Sequence, residues 1–235
     1  MLSKKKEFLS RFSIFRDLSD QEMDQVVEIS IERQQRKKTM IFHEAGNKEA
    51  VYFIRDGLVK TYKTDQNGHE QIVSFLKSGD MFPHVGFFTP HPYPATAEAL
   101  VDTQLIAIPV RSFEQILLSV PTIAIKVMSV LSLKIIELQT KLQQFTGQDV
   151  NQRALSFLLH LADKHGQVKG DSVQIDLPIT HLEFANSIGT TRETVNRLLN
   201  QLRKEGVIDT SRGTIMIHDL EALKQKTDLD KAMLV

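Results

Sequence analysis

The sequence predicts an α+β chain: a helical N-terminus, a β-rich segment from about residue 26 to 110, a long helix to about 145, and a C-terminal block of helices with a hairpin. Three observations carry this. Between residues 26 and 110 short apolar runs alternate with turn residues at close intervals, the texture of a β domain. From Ala124 to Phe145 apolar residues recur at 4-3-4-3-4-3 spacing, which is an a/d helical seam. Between Ile179 and Val207 two amphipathic helical patterns flank a single glycine, which is the helix-turn-helix pattern.

Composition narrows the function classes. A chain of 235 residues has room for two ordinary domains, and 41% hydrophobic residues supply real cores. No apolar run approaches the roughly 20 residues of a membrane span. The start, MLSKKKEFLSRF, is basic but lacks the apolar stretch and small-residue cleavage site of a secretory signal, so the cytoplasm is the expected compartment. There is no cysteine, which excludes disulfides, thiol nucleophiles, cysteine-held zinc and iron–sulfur clusters. Lys plus Arg equals Asp plus Glu, 29 each. That balance does not favour a nucleic-acid partner, although such a protein needs only one basic face.

Residues 1–24 read as amphipathic helix, with Phe8, Phe12 and Phe15 at helical spacing and Leu18–Glu22 as a turn opening a second short helix. Strands are expected at Met40–Phe42, Val51–Ile54, Leu58–Tyr62, Gln71–Leu76, Ala95–Leu100 and Thr103–Pro109. Asn67-Gly68 between two of these runs signals a hairpin, because both residue types tolerate positive φ. Helix returns near Arg111, is interrupted near Pro121 and continues to Phe145. Its seam comprises Ala124, Met128, Leu131, Ile135, Leu138, Leu142 and Phe145, held for about three heptads. One amphipathic helix lying on its own β domain is the simpler account, and Ile123, Val127, Val130, Leu133 and Ile136 predict that contact too. A helix apolar on two faces has two surfaces to bury, so a parallel homodimer is expected along the seam.

Gly147-Gln148-Asp149 reads as a hinge, and residues 150–165 as a helix with Leu155, Leu158, Leu159 and Ala162 on one face. Val173–Leu177 is a short strand, and Thr214–Ile217 the second strand of a hairpin containing Gly213. The organisation expected is therefore 1–110 for the helices and β domain, 111–146 for the dimer helix, 147–220 for the helix-turn-helix domain and 221–235 for a polar, helix-prone tail.

The chemistry lies in ITHLEFANSIGTTRETVNRLLNQLRKEGV, residues 179–207. Thr180 and Glu183 form a capping box, which opens a helix with Leu182, Phe184, Ala185 and Ile188 available to pack inward. Gly189 falls where a tight turn needs positive φ. Thr190 or Thr191 can cap the next helix. There Val195, Leu198, Leu199 and Leu202 make a core stripe, and Arg192, Glu193, Asn196, Arg197, Asn200 and Arg203 take the outward face. Arginine offers a fork of donors to guanine O6 and N7, glutamate accepts from cytosine N4, and asparagine can pair with adenine. A solvated charged face would account for any one such pair. Capping box, glycine turn, polar face and following hairpin together point to double-stranded DNA.

These residues resemble the Crp/Fnr family of bacterial transcription regulators across nearly the whole chain. The run Thr191-Arg192-Glu193-Thr194-Val195-Asn196-Arg197-Leu198-Leu199 is similar to the family's recognition helix. The resemblance implies a cyclic-nucleotide-binding-type β-roll, a dimerisation helix and a winged helix-turn-helix. It implies base reading by Arg192, Glu193 and Arg197, with Asn196 at a position the family varies, on TGTGA-like half-sites of an inverted repeat. It also implies phosphate contacts by Thr180, His181, Thr191 and Arg212, and RNA polymerase as a partner.

The family's cAMP cassette uses a glycine and a glutamate for the ribose, then an arginine and a small hydroxyl residue for the phosphate. Here Pro83 and His84 fall at the first pair and Tyr93 and Pro94 at the second. A buried phosphate without its cationic fork loses charge-assisted bonds, so cAMP binding is not expected. His84, His91 and Tyr93 either line a pocket for another small-molecule effector or are polar filler. No cofactor or metal is expected, since two histidines seven residues apart across a proline-rich loop fit no standard ligand spacing. Nor is an enzyme expected, because no phosphate-cradling loop and no nucleophile or zinc motif is present. A regulatory roll that binds a protein partner and not DNA is the other reading considered.

Overall fold

The computed structural model describes residues 2–84, 91–147, 149–211 and 213–232. The chain divides into two compact units, Met1–Glu137 and Leu138–Val235.

The first unit opens with α1 (Leu2–Leu9) and α2 (Asp20–Glu28). Ser19 caps α2 in a capping box with Glu22, as the turn residues predicted. The helical reading needs correction between α1 and the turn at Leu18. After α1 the backbone tightens into i to i+3 turns at Arg11 and Phe12. Phe8, Phe12 and Phe15 are nevertheless buried. Phe12 and Phe15 stand 5.1 and 5.2 Å from the Phe53 ring. Packing around Phe53 orders this segment, not helical repetition.

Eight strands follow: β1 (Ile31–Gln35), β2 (Met40–Phe42), β3 (Ala50–Asp56), β4 (Leu58–Thr64), β5 (Glu70–Lys77), β6 (Met81–Phe82), β7 (Thr96–Ala99) and β8 (Thr103–Pro109). They form two four-stranded antiparallel sheets, β1-β8-β3-β6 and β2-β7-β4-β5. Every expected strand is present. β1 and β6 were not anticipated: IERQQ is polar and almost wholly exposed, and β6 has two residues. The β4–β5 turn is longer than a two-residue hairpin. Asp65 closes it by accepting from the Asn67 and His69 amides, and only Gly68 takes positive φ.

The apolar runs of β3 and β8 are continuous because both faces are covered. Val51, Phe53, Ile106 and Ile108 meet α1, α2, α3 (Val110–Ser119) and the start of α4 (Pro121–Gly147). Ala50, Tyr52, Ile54, Leu105 and Ala107 face the other sheet with Val59 and Leu76. On α4, Ile123 and Val127 are buried, and Ala124, Val130 and Leu131 lean on the same core. Leu133 and Ile136 were expected there too but are exposed.

The second unit contains α5 (Val150–His165), β9 (Gly166–Lys169), β10 (Ser172–Asp176), α6 (His181–Ile188), α7 (Arg192–Lys204), β11 (Ile208–Ser211), β12 (Thr214–Ile217) and α8 (Leu220–Ala232). Its sheet runs β11-β12-β10-β9. Asp149 and Gln152 form a capping box that starts α5. On α5 Leu155 and Leu158 are buried as expected, but Ala154 and Leu161 are buried where Leu159 and Ala162 are only half-buried. α5 meets α6, α8 and β10 at once, so its covered arc is wider than one stripe. The segment expected as a tail begins as α8, which packs on α5 and buries Leu223 and Thr227.

Candidate nucleic-acid interface

The turn after β10 delivers Thr180 to the start of α6. Its hydroxyl accepts from the Glu183 amide at 3.1 Å, and the Glu183 carboxylate accepts from the Thr180 amide at 2.7 Å. Two of the helix's orphan donors are thereby satisfied, which contributes about 1 kcal/mol. Phe184, Ala185 and Ile188 pack inward, with the Phe184 ring edge-on to Phe157 at 4.8 Å. Leu182 does not join them and is 54% exposed. Side chains on a helix lean toward its N-terminus, and in the first turn this carries Leu182 away from the core.

Gly189 ends α6 at φ 66°, ψ 51°. An L side chain in this left-handed conformation costs roughly 1–2 kcal/mol, so glycine is suited to the turn. Thr191 then caps α7, its hydroxyl accepting from the Thr194 amide at 3.3 Å. Val195, Leu198, Leu199 and Leu202 are buried. With that stripe fixed, the opposite face points outward. Arg192, Glu193, Arg197, Asn200 and Arg203 are exposed and Asn196 is half-buried. Arg203 donates to Asn200 at 3.1 Å. Among the described residues, none forms an ion pair or hydrogen bond with the side chains of Arg192, Glu193 or Arg197. Two forks of donors and one carboxylate thus stand together in solvent near the start of one helix.

The other expected DNA contacts surround this face. Thr180 and Thr191 occupy the two caps, and the Thr180 hydroxyl also donates to Glu183 at 2.9 Å. His181 is hydrogen-bonded through Nδ1 to Asn196 Oδ1, a link between the two helices that the sequence did not reveal. Thr180 and His181 adjoin Thr210, Ser211, Gly213 and Thr214 of the hairpin around a cleft of about 30 Å³. The start of α6 and the β11–β12 hairpin therefore form one surface. Arg212 lies outside the described residues.

Along α4, Met128, Ile135, Leu138 and Leu142 are exposed, at 56, 56, 47 and 66%. Leu131 is half-buried, and the Phe145 side chain lies outside those described. With Ile125, Leu133 and Ile136 also exposed, seven large apolar side chains among those described on α4 face solvent.

In the roll, the structure changes the reading of the three candidate pocket residues. Tyr93 is buried and stacks on Phe42 at 3.8 Å. Its hydroxyl accepts from the Glu49 and Ala50 amides at 3.0 and 3.3 Å and donates to the Ala50 carbonyl at 3.2 Å. A hydroxyl with those partners is a satisfied buried group. His91 is exposed. His84 is half-buried, and burial first, then the Lys134 ammonium, push it down to about 4, against the opposing pull of Glu137. It is therefore a neutral imidazole at pH 7. Residues 85–90, the centre of the expected cassette, lie outside the described residues. Two polar groups escaped the sequence reading. Lys134 donates to Ser74 at 3.1 Å and pairs with Glu137 at 2.9 Å. Lys60 is buried against Glu70 at 2.8 Å and Glu98 at 3.7 Å. The register of β4 with β7 sets Lys60 opposite Glu98, a pairing that only the sheet order reveals. Among the described residues no group of three or more His, Asp or Glu could hold a metal ion.

Comparison with known proteins follows these two regions. Residues 152–226 match the model of the Crp-like helix-turn-helix domain, and residues 32–119 that of the cyclic nucleotide-binding domain. The global nitrogen regulator of Synechocystis is 31% identical over 216 residues, which cover 91% of this chain and 94% of that protein. The anaerobic regulatory protein of Haemophilus influenzae is 28% identical over 226 residues, 95% of this chain and 87% of that one. The solved structure of FixK2 from Bradyrhizobium japonicum superposes with a TM-score of 0.75 at 24% identity, covering 84% of this chain and 96% of that one.

Proposed function

Since the chain belongs to the Crp/Fnr family of DNA-binding transcription regulators, we propose that it acts as a homodimer that reads an inverted-repeat operator in the major groove without cAMP. The observation that carries this is the exposed face of α7, with Arg192, Glu193 and Arg197 unengaged by the described residues. An arginine fork fits guanine O6 and N7, and a carboxylate accepts from cytosine N4, which suits TGTGA-like half-sites. Thr180, His181, Thr191 and Arg212 contact phosphates, fixing register without carrying sequence information.

The dimer forms along the exposed apolar seam of α4, from Met128 through Leu142 to Phe145. A two-fold axis there presents two copies of α7, and half-sites about 34–36 Å apart, one turn of DNA, match that symmetry. Cyclic AMP is not the effector: Tyr93 and Pro94 stand where the phosphate would need a cation and a hydroxyl, and Tyr93 is committed to the backbone. An effector of other chemistry in the roll near His84 acts only if it binds the DNA-competent pose better than the alternative. We assign the protein to the cytoplasm, with RNA polymerase as its further partner.

The test is a gel shift with an inverted repeat of TGTGA half-sites across a salt series. A steep fall of affinity with salt, unchanged by cAMP, is expected. Salt-insensitive or absent duplex binding would favour a roll that binds a protein partner instead. Micromolar cAMP binding by calorimetry would contradict the cAMP-independent part alone.

A further inference from the structure

We infer that His181 is a positioning residue for base recognition: it holds the Asn196 carbonyl toward α6, so that Asn196 offers the DNA groove its amide N–H donors. The inference rests on the reading of α7 as the base-reading helix and specifies what one position on that helix reads.

It starts from the contact between His181 Nδ1, at the first position of α6, and Asn196 Oδ1 on α7. A carbonyl oxygen only accepts, so the imidazole carries a proton on Nδ1. The Asn196 amide is thereby oriented with Oδ1 toward His181 and Nδ2 free to turn outward. Exposed neighbours flank it on the same face, Glu193 and Arg197. An unrestrained asparagine can present either end of its amide to a base. This one presents two donors and withholds its acceptor.

The major groove sorts bases by this difference. Guanine shows O6 and N7, adenine N7 and thymine O4, all of them acceptors, whereas cytosine shows only the N4 amino donor. The position facing Asn196 should therefore reject cytosine on the contacted strand. Releasing the amide would let Oδ1 turn outward and accept from cytosine. Nδ1–H is then engaged by Asn196, and Nε2, which on the neutral ring only accepts, can donate to a DNA phosphate only as the second N–H of an imidazolium. A residue that touched only phosphate would weaken all sequences equally, and one that only joined α6 to α7 would alter stability without altering base preference.

Two substitutions separate the ring nitrogens. Asparagine places an amide N–H near the Nδ1 position, and glutamine places one near Nε2. Selection from a duplex library with randomised half-sites, on the full-length protein, should give three profiles. Wild type selects against cytosine at one position in each half-site. His181→Asn keeps that selectivity while overall affinity falls. His181→Gln loses about 3- to 10-fold of the selectivity at that position alone, the effect of one hydrogen bond. Asn196→Ala should flatten the same position. A His181→Gln profile identical to wild type with a lowered melting temperature would leave only a helix-to-helix link, and an unchanged Asn196→Ala profile would remove the base contact itself; either overturns the inference. A wild-type protein that enriches no motif would instead remove the reading of α7, and this inference with it.

Discussion

In the roll, Tyr93 commits its hydroxyl to the backbone of Glu49 and Ala50, and Lys60 lies buried between Glu70 and Glu98. On α7, Arg192, Glu193 and Arg197 stand in solvent with no described partner, above a stripe of four buried aliphatic residues. Both regions use polar side chains, in opposite ways. Where a strand is covered on both faces, a polar group must find a partner inside or incur a desolvation cost. Where a helix is covered on one face, the other face can hold polar groups unpaired until a ligand arrives. The contrast teaches that polar side chains are taken up by the fold in one half of the chain and left available in the other, and that burial decides which.

Predictions follow from pressing on each side of that contrast. The largest effect is expected on α4, whose exposed apolar seam resembles neither region. Ile135→Glu with Leu138→Glu would put carboxylates into the proposed dimer contact and should weaken operator binding by about 100-fold or more, with sedimentation showing monomers. An unchanged dimer would move the interface elsewhere. Next, Phe53→Ala removes the ring around which Phe12 and Phe15 pack. It should destabilise the roll by about 3–5 kcal/mol in denaturant melts, in contrast to Arg192→Ala, which should leave the melt unchanged. Tyr93→Phe deletes a buried hydroxyl that serves two amides and a carbonyl. A loss of about 1–3 kcal/mol is expected, and a neutral result would return Tyr93 to the pocket. The smallest effect is a pH dependence. His84 is held at about 4, below its ordinary 6.5. The unfolded chain therefore takes up a proton first as pH falls. The stability linked to neutral His84 is complete above about 6.5 and is lost progressively between 6.5 and 4. In His84→Phe this part of the pH profile should be flatter.

How much of this was legible in the sequence varied with the kind of burial. The helix-turn-helix was readable almost residue by residue, because capping boxes, a glycine turn and a one-sided apolar stripe are local signals. Thr180, Glu183, Gly189 and Thr191 all occupy the positions those signals imply. Strands covered on both faces were equally plain, since VYFI in β3 leaves little else for the chain to do. Edge strands were not: β1 is polar and exists through its pairing with β8. The heptad spacing marked the apolar face of α4 but not which residues the roll would claim, so Leu133 and Ile136 were assigned to the wrong surface. The candidate pocket was the least legible. The sequence left Tyr93 open between pocket lining and polar filler, since its partners on Glu49 and Ala50 lie more than 40 residues away, and the link from His181 to Asn196 joins residues 15 apart through a turn whose geometry the sequence only implies.

The most direct test of the account is selection of duplex sites from a fully randomised library by wild type and by Arg192→Ala, side by side. Wild type should enrich an inverted repeat with half-sites one helical turn apart, and Arg192→Ala should lose about 1–3 kcal/mol of discrimination at a single base pair in each half. If the two proteins enrich the same motif with the same stringency, the exposed face of α7 does not read the bases.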